Sequence, residues 1–198
     1  MLSKFLGVKT DNANIEKKAD IRKSLVNDIA TSRVLEVYCG SGVMHDMLWH
    51  EAMDYVGIDK LKFFDSRKTI CGDAEKALSL IDVNDFNVFD IDAYGSPYEV
   101  LDAITRKYTL SGGVSFIITD GIQIDLRMGK ICAGLRRFID FKGKRLRNAH
   151  MMHDDYIQKI VDLCANRLQG RVVSSRFLKG SKGSGMRYYG FRVENGKA

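Results

Sequence analysis

The chain has 198 residues, 45% apolar and 28% charged, with 31 Lys and Arg against 25 Asp and Glu and a formal net charge of +6. That balance is typical of a folded globular chain and excludes a disordered tail, and the single Pro excludes a proline-rich linker or a collagen-like rod. No apolar run approaches the roughly 20 residues that span a bilayer. The stretch from Met1 to Lys9 is too short and too soon charged for a secretory signal. Cys39, Cys71, Cys132 and Cys164 are scattered without a C-x-x-C pair, as buried thiols of a reducing compartment are, so the expected location is cytoplasmic.

Residues 14–30 place Ile15, Ile21, Leu25, Val26 and Ile29 near helical spacing, which predicts an amphipathic helix. Strands are predicted at 33–38, 55–59, 68–71, 87–92 and 112–120, with helices at 43–53, from about 73, and at 97–108, where Pro97 suits a first turn. A further helix from about Asp154 to Leu168 precedes two adjacent strands, 171–178 and 186–194, joined by a glycine-rich loop. Alternation of this kind predicts an α/β fold: a mostly parallel seven-stranded sheet with helices on both faces and a C-terminal antiparallel hairpin at one edge. The expected organisation is a single domain, 1–198, with an N-terminal helical region (1–31) and a basic insertion (127–153).

The charge is concentrated. Arg127, Lys130, Arg136, Arg137, Lys142, Lys144, Arg145 and Arg147 are opposed only by Asp140, so this segment holds +7 and the remainder of the chain −1. Such a footprint is expected of a surface that meets the phosphates of a nucleic acid; the competing reading is a solvated loop.

The strongest local motif is Glu36-Val-Tyr-Cys-Gly40-Ser-Gly42, between a predicted strand and a helix. Glycines there let a ligand approach the backbone and the free N–H groups of a helix start. His45 stands where a dinucleotide fingerprint wants its third glycine, and Glu36 would repel a pyrophosphate but pair with an ammonium group.

With these residues the chain resembles the class I S-adenosylmethionine-dependent methyltransferases, whose fold is Rossmann-like. The resemblance implies S-adenosyl-L-methionine as cofactor. It places Glu36, Gly40 and Gly42 in the cofactor-binding turn, Asp59 on the ribose hydroxyls and Asp73 near the adenine, with Asp73 also readable as a helix cap. The stretch Asp90-Ile-Asp92-Ala-Tyr94-Gly-Ser-Pro97 is similar to the Asp-Pro-Phe/Tyr-Gly-Ser-Pro motif of the tRNA guanine-N2 dimethyltransferase family, and Thr119-Asp120 looks like that family's fifth strand end. Ala93 replaces the family's proline, which predicts a less rigid loop. By this resemblance Asp90 belongs to the cofactor side. Asp92 and the Ala93 carbonyl hold the N–H groups of an exocyclic amine, and Tyr94 stacks on the base. Methylation of a nucleobase amino group, first guanine N2 in RNA, is therefore implied. A DNA-base, small-molecule or protein methyltransferase, or a binding module that has lost transfer activity, stays open. His45, His50, His150 and His153 complete no metal-ligand set and read as solvated or packed.

Overall fold

The computed structural model describes residues 14–143, 145–181 and 185–196. In chain order the elements are α1 (Ile15–Leu25), β1 (Arg33–Val37), α2 (Val43–Met47), β2 (Asp54–Asp59), β3 (Thr69–Cys71), α3 (Ala74–Leu80), β4 (Val88–Asp92) and α4 (Tyr98–Lys107). After them come β5 (Val114–Asp120), α5 (Gln123–Arg127), α6 (Ala133–Ile139), α7 (His153–Arg167), β6 (Gly170–Lys179) and β7 (Arg187–Asn195). The strand order is β3-β2-β1-β4-β5-β7-β6. The first five strands pair in parallel, and β7 and β6 close the sheet as an antiparallel hairpin, as the alternation and the terminal strand pair predict.

Side chains alternate across the sheet and separate two cores. Leu35, Phe89, Phe116 and Phe191 face α3, α4, α6 and α7, and three of these rings stack across β4, β5 and β7 with centroids 5.2 and 5.1 Å apart. Val34, Val88, Ile117 and Tyr188 face the opposite way, towards α1, α2 and Trp49. The same parity turns Glu36, Asp90 and Asp92 to the α1 side, with Glu36 and Asp90 directly paired in register. Buried acids must be paired with cations or held neutral, and two of these three, Asp90 and Asp92, have cations opposite them. Helix α1 supplies those cations, for its buried residues include Lys18 and Arg22 beside Ile21 and Leu25.

Several elements are shorter than their patterns predict. Helix α1 stops at Leu25 and not near 30, because Asp28 engages the chain locally: its carboxylate accepts from Ala30 N, and its carbonyl from Ser32 Oγ at 2.7 Å. The helix predicted over 43–53 breaks at Leu48, which turns Leu48 and Trp49 inward together. The basic segment is not one loop, since it holds the end of α5 and all of α6. Gly134 lets α6 press onto the start of α4, where a Cβ would stand 2.5 Å from Glu99 N. Among the described residues no helix is long and apolar enough to cross a membrane.

Candidate active site

Chain direction diverges at the carboxyl ends of β1 and β4: β1 leads outward to β2, and β4 leads the other way to β5. A crevice opens at such a switch point. Here it is a cavity of about 430 Å³, within the usual range for a small-ligand site, lined by Glu36, Gly40 and Asp59 on one side and by Asp92, Tyr94 and Ser96 on the other.

The glycine turn leaves β1 through Tyr38, Gly40 and Gly42, with φ of +66°, +49° and +86°. Arg67, from the β2–β3 connection, braces it from behind: its guanidinium donates to the Gly40 carbonyl at 3.0 Å and to Asp65. A Cβ on Gly42 would stand 2.6 Å from Arg67 Cζ and push that guanidinium aside, while the left-handed backbone conformation itself calls for glycine. At Gly40, which lines the cavity, the same test meets open space. Asp59, ending β2, accepts from Gly40 N and from Leu61 N, both at 2.9 Å, and so ties the turn to the next loop. Burial pushes the Cys39 thiol up to about 12, which leaves it a packing residue.

Glu36 is buried and accepts from the Tyr55 hydroxyl at 2.6 Å. Burial, with the neighbouring Asp90 carboxylate, pushes its carboxyl up to about 8. Asp92, one-fifth exposed, accepts from Lys18 Nζ at 2.9 and 3.0 Å. Burial opposes its ionisation, but the charges of Arg22 and Lys18 outweigh that and hold Asp92 below the usual carboxylate range. Tyr94 stands exposed at the rim. Its loop is held from β5, where Gly121 N donates to the Gly95 carbonyl at 3.0 Å; a Cβ on Gly121 would run into the Tyr94 carbonyl oxygen.

Two of the sequence assignments to the cofactor side are corrected. Asp90 is not at the cavity: it is fully buried, clamped by Arg22 Nε and Nη2 at 2.6 Å each and by Trp49 Nε1 at 2.8 Å. Strand parity points it into the α1 core, where its lone pairs are taken up. Asp73 does not line the cavity either. It caps α3 through Lys76 N and pairs with Lys60, so the cap reading describes its place.

The basic residues separate. Arg137 is turned to Asp102, which also takes Arg106 and Arg167, because α6 crosses α4 beside α7. Lys130, Arg136 and Arg145 meet around a second cavity. Arg127, Lys142 and Arg147 are exposed and have no ion pair among the described residues, and Lys144 lies outside those residues. His153 is a packed residue between Asp120 and Gln123, 2.8 and 2.6 Å away, with Tyr98 on the same Asp120 carboxylate.

Sequence reasoning missed Lys18, Arg22, Arg67 and Gly121. The legible signal for the first two was a pair of cations at i, i+4 among the apolar positions of α1.

Strand order and the antiparallel C-terminal hairpin give the chain the fold of solved S-adenosylmethionine-dependent methyltransferases. Among solved structures the chain is similar to Trm1 from Pyrococcus horikoshii in complex with S-adenosyl-L-methionine, with a TM-score of 0.64 and 15% identity over 96% of this chain and 57% of that one. It is also similar to the N-methyltransferase NodS from Bradyrhizobium japonicum WM9 in complex with S-adenosyl-L-homocysteine (TM-score 0.56, 12% identity, 92% and 87% covered). A SAM-dependent methyltransferase from Archaeoglobus fulgidus follows (TM-score 0.54, 14% identity, 92% and 94% covered). These identities bear on the fold. No family model and no curated protein matches the sequence.

Proposed function

We propose that the chain is an S-adenosylmethionine-dependent methyltransferase that acts on the exocyclic amino group of a nucleobase, guanine N2 in RNA before other acceptors. The observation that carries this reading is the single cavity whose two walls are the glycine turn with Glu36 and Asp59, and the loop of Asp92 and Tyr94. The residues suit the cofactor. Glu36, a carboxylate whose value is raised by burial and by the Asp90 charge, lines a cavity that would take a cationic ligand, and Gly40 leaves its backbone open. Bound S-adenosylmethionine supplies an electrophilic methyl group on sulfur.

The chain's own groups do the rest. Glu36, losing its proton to solvent, would pair with the cofactor's ammonium group, and Asp59 would accept from its ribose hydroxyls with its remaining lone pairs. Asp92, kept ionised by Lys18 and Arg22, accepts a hydrogen bond from the acceptor amine, turns the nitrogen lone pair away from ring delocalisation, and takes the proton that nitrogen sheds on methylation. The Ala93 carbonyl takes the second N–H. Tyr94 offers an exposed ring for the base to stack on, which fixes the plane of attack. The gain is mainly alignment. Resemblance of residues 90–97 to the guanine-N2 family supports the acceptor, and the basic segment supports a polynucleotide.

The test is transfer of a labelled methyl group to total RNA, DNA and nucleic-acid-free lysate. Label in RNA, lost in Asp92→Asn, is the expected result; label only in the lysate fraction overturns the nucleobase reading.

A further inference from the structure

Three of the basic residues converge on one place for reasons of backbone geometry. Lys130 and Arg145 face each other across an isolated antiparallel bridge, secured by Leu146 N donating to the Gly129 carbonyl at 2.9 Å. Like charges directly opposite on paired backbone repel, and an anion between them would relieve that repulsion. Arg136 joins them from α6, and the three side chains line a cavity of about 400 Å³ in which Asp125 is the one carboxylate. None of the three has an ion pair among the described residues, and Arg136 Nε is buried without a hydrogen-bond partner. A guanidinium N–H fixed in this way lacks an oxyanion acceptor.

We propose that this cavity binds a phosphate group in the backbone of the acceptor strand, with Lys130, Arg136 and Arg145 as its ligands. The inference rests on the methyltransferase reading for the identity of that strand. Its position is given by the wall shared by the two cavities. Cys132, which lines the basic cavity, has its Sγ 3.1 Å from Ser96 Oγ, and Ser96 lines the crevice beside Tyr94. Glu99 stiffens this wall by accepting from Ser96 Oγ at 2.5 Å and from Gly134 N, at the start of α6, at 2.8 Å. A strand that presents a base to Tyr94 has its sugar-phosphate chain one side chain away, over the Ser96–Cys132 contact. Arg137, committed to Asp102, takes no part.

The experiment measures binding of a fluorescein-labelled single-stranded RNA oligonucleotide by anisotropy across a salt series, with calorimetry of S-adenosylmethionine on the same proteins. Lys130→Ala and Arg145→Ala are each expected to weaken RNA binding roughly tenfold, as loss of a charged contact does. Each should also reduce the slope of log affinity against log salt by about 0.7, one single-strand phosphate contact. Lys159→Ala, on the exposed face of α7, changes neither. Cofactor affinity stays at the wild-type value in all three. Arg136→Gln is read beside a thermal melt, since Arg136 is half-buried; Lys130 and Arg145 are exposed and decide the matter without it. Wild-type RNA affinity in Lys130→Ala and Arg145→Ala, or no RNA binding by the wild type, overturns the site. Guanosine 5′-monophosphate competing as well as the oligonucleotide assigns the cavity to a free nucleotide and overturns the strand. RNA binding that depends on these residues, with no heat from S-adenosylmethionine, supports the phosphate site and overturns the methyltransferase reading instead.

Discussion

Lys18 Nζ lies 2.9 and 3.0 Å from the two carboxylate oxygens of Asp92, joining α1 to the end of β4 across 74 positions of sequence. The contact puts a cation beside the carboxylate proposed to hold the acceptor amine, and keeps that carboxylate charged despite burial.

Asp92→Asn is expected to lower methyl transfer about 10²–10⁴-fold, the usual worth of a positioned proton acceptor, with cofactor affinity unchanged. Lys18→Met acts more mildly and in a diagnostic direction. With that cation gone the Asp92 carboxyl titrates higher, so the acid limb of the transfer profile moves to higher pH. A profile that does not move assigns Lys18 to packing alone.

Asp90 and Arg22 form a fully buried pair, bidentate at 2.6 Å, with Trp49 on the same carboxylate. Arg22→Ala leaves an uncompensated buried charge and is expected to cost about 3–5 kcal/mol in urea unfolding. Arg22→Met with Asp90→Leu removes both charges and is expected to recover most of that loss. A double variant as unstable as Arg22→Ala rules out the charge explanation.

Glu36 gives a pH dependence opposite to that of most carboxylates. Its value rises from 4.5 to about 8 on folding, so between those limits the native state holds a proton that the unfolded state has lost. Stability from this group is fully present below 4.5 and is lost as pH rises through 8. An ammonium ligand favours ionised Glu36, so cofactor affinity is expected to increase over the same interval. Glu36→Gln should flatten both trends, measured by chemical denaturation and by calorimetry from pH 5 upward.

Gly42→Ala meets both a φ of +86° and the Arg67 guanidinium, whereas Gly40→Ala meets a φ of +49° with open space around it. The first is expected to cost about 1–3 kcal/mol from strain alone and to weaken cofactor binding more than the second. Equal losses in thermal melts and calorimetry would show that Arg67 does not crowd the turn. Arg67→Ala, which removes the brace but leaves both glycines, should weaken cofactor binding with a smaller change in melting temperature.

Much of the fold was legible because its signals are local. Apolar runs of strand length alternate with helical spacing through Asp120, and a terminal strand pair reads as a hairpin. Glycines after β1, an acid ending β2 and Asp92-Ala-Tyr94 after β4 were likewise readable, since strand ends and the turns after them are fixed by a few neighbouring residues. Side-chain parity was readable in principle: Asp90 and Asp92 share a face of β4 whichever element covers it.

What covers that face is decided only by packing. Arg22 reaches Asp90 and Lys18 reaches Asp92 because α1 docks on the α1–α2 side of the sheet, and no spacing within α1 records which strand it meets. That docking separates two acids of one motif, making Asp90 a buried anchor and leaving Asp92 at the crevice. The basic segment divides in the same way. Eight cations in one run look equivalent along the chain, yet α6 lying across α4 sends Arg137 to Asp102 and gathers Lys130, Arg136 and Arg145 around one open cavity. Composition alone determines that such a chain must place its excess charge at a surface, since unpaired cations are too costly to bury. Which of those charges stay free to bind depends on contacts between residues far apart in sequence, and those contacts exist only once the helices have packed.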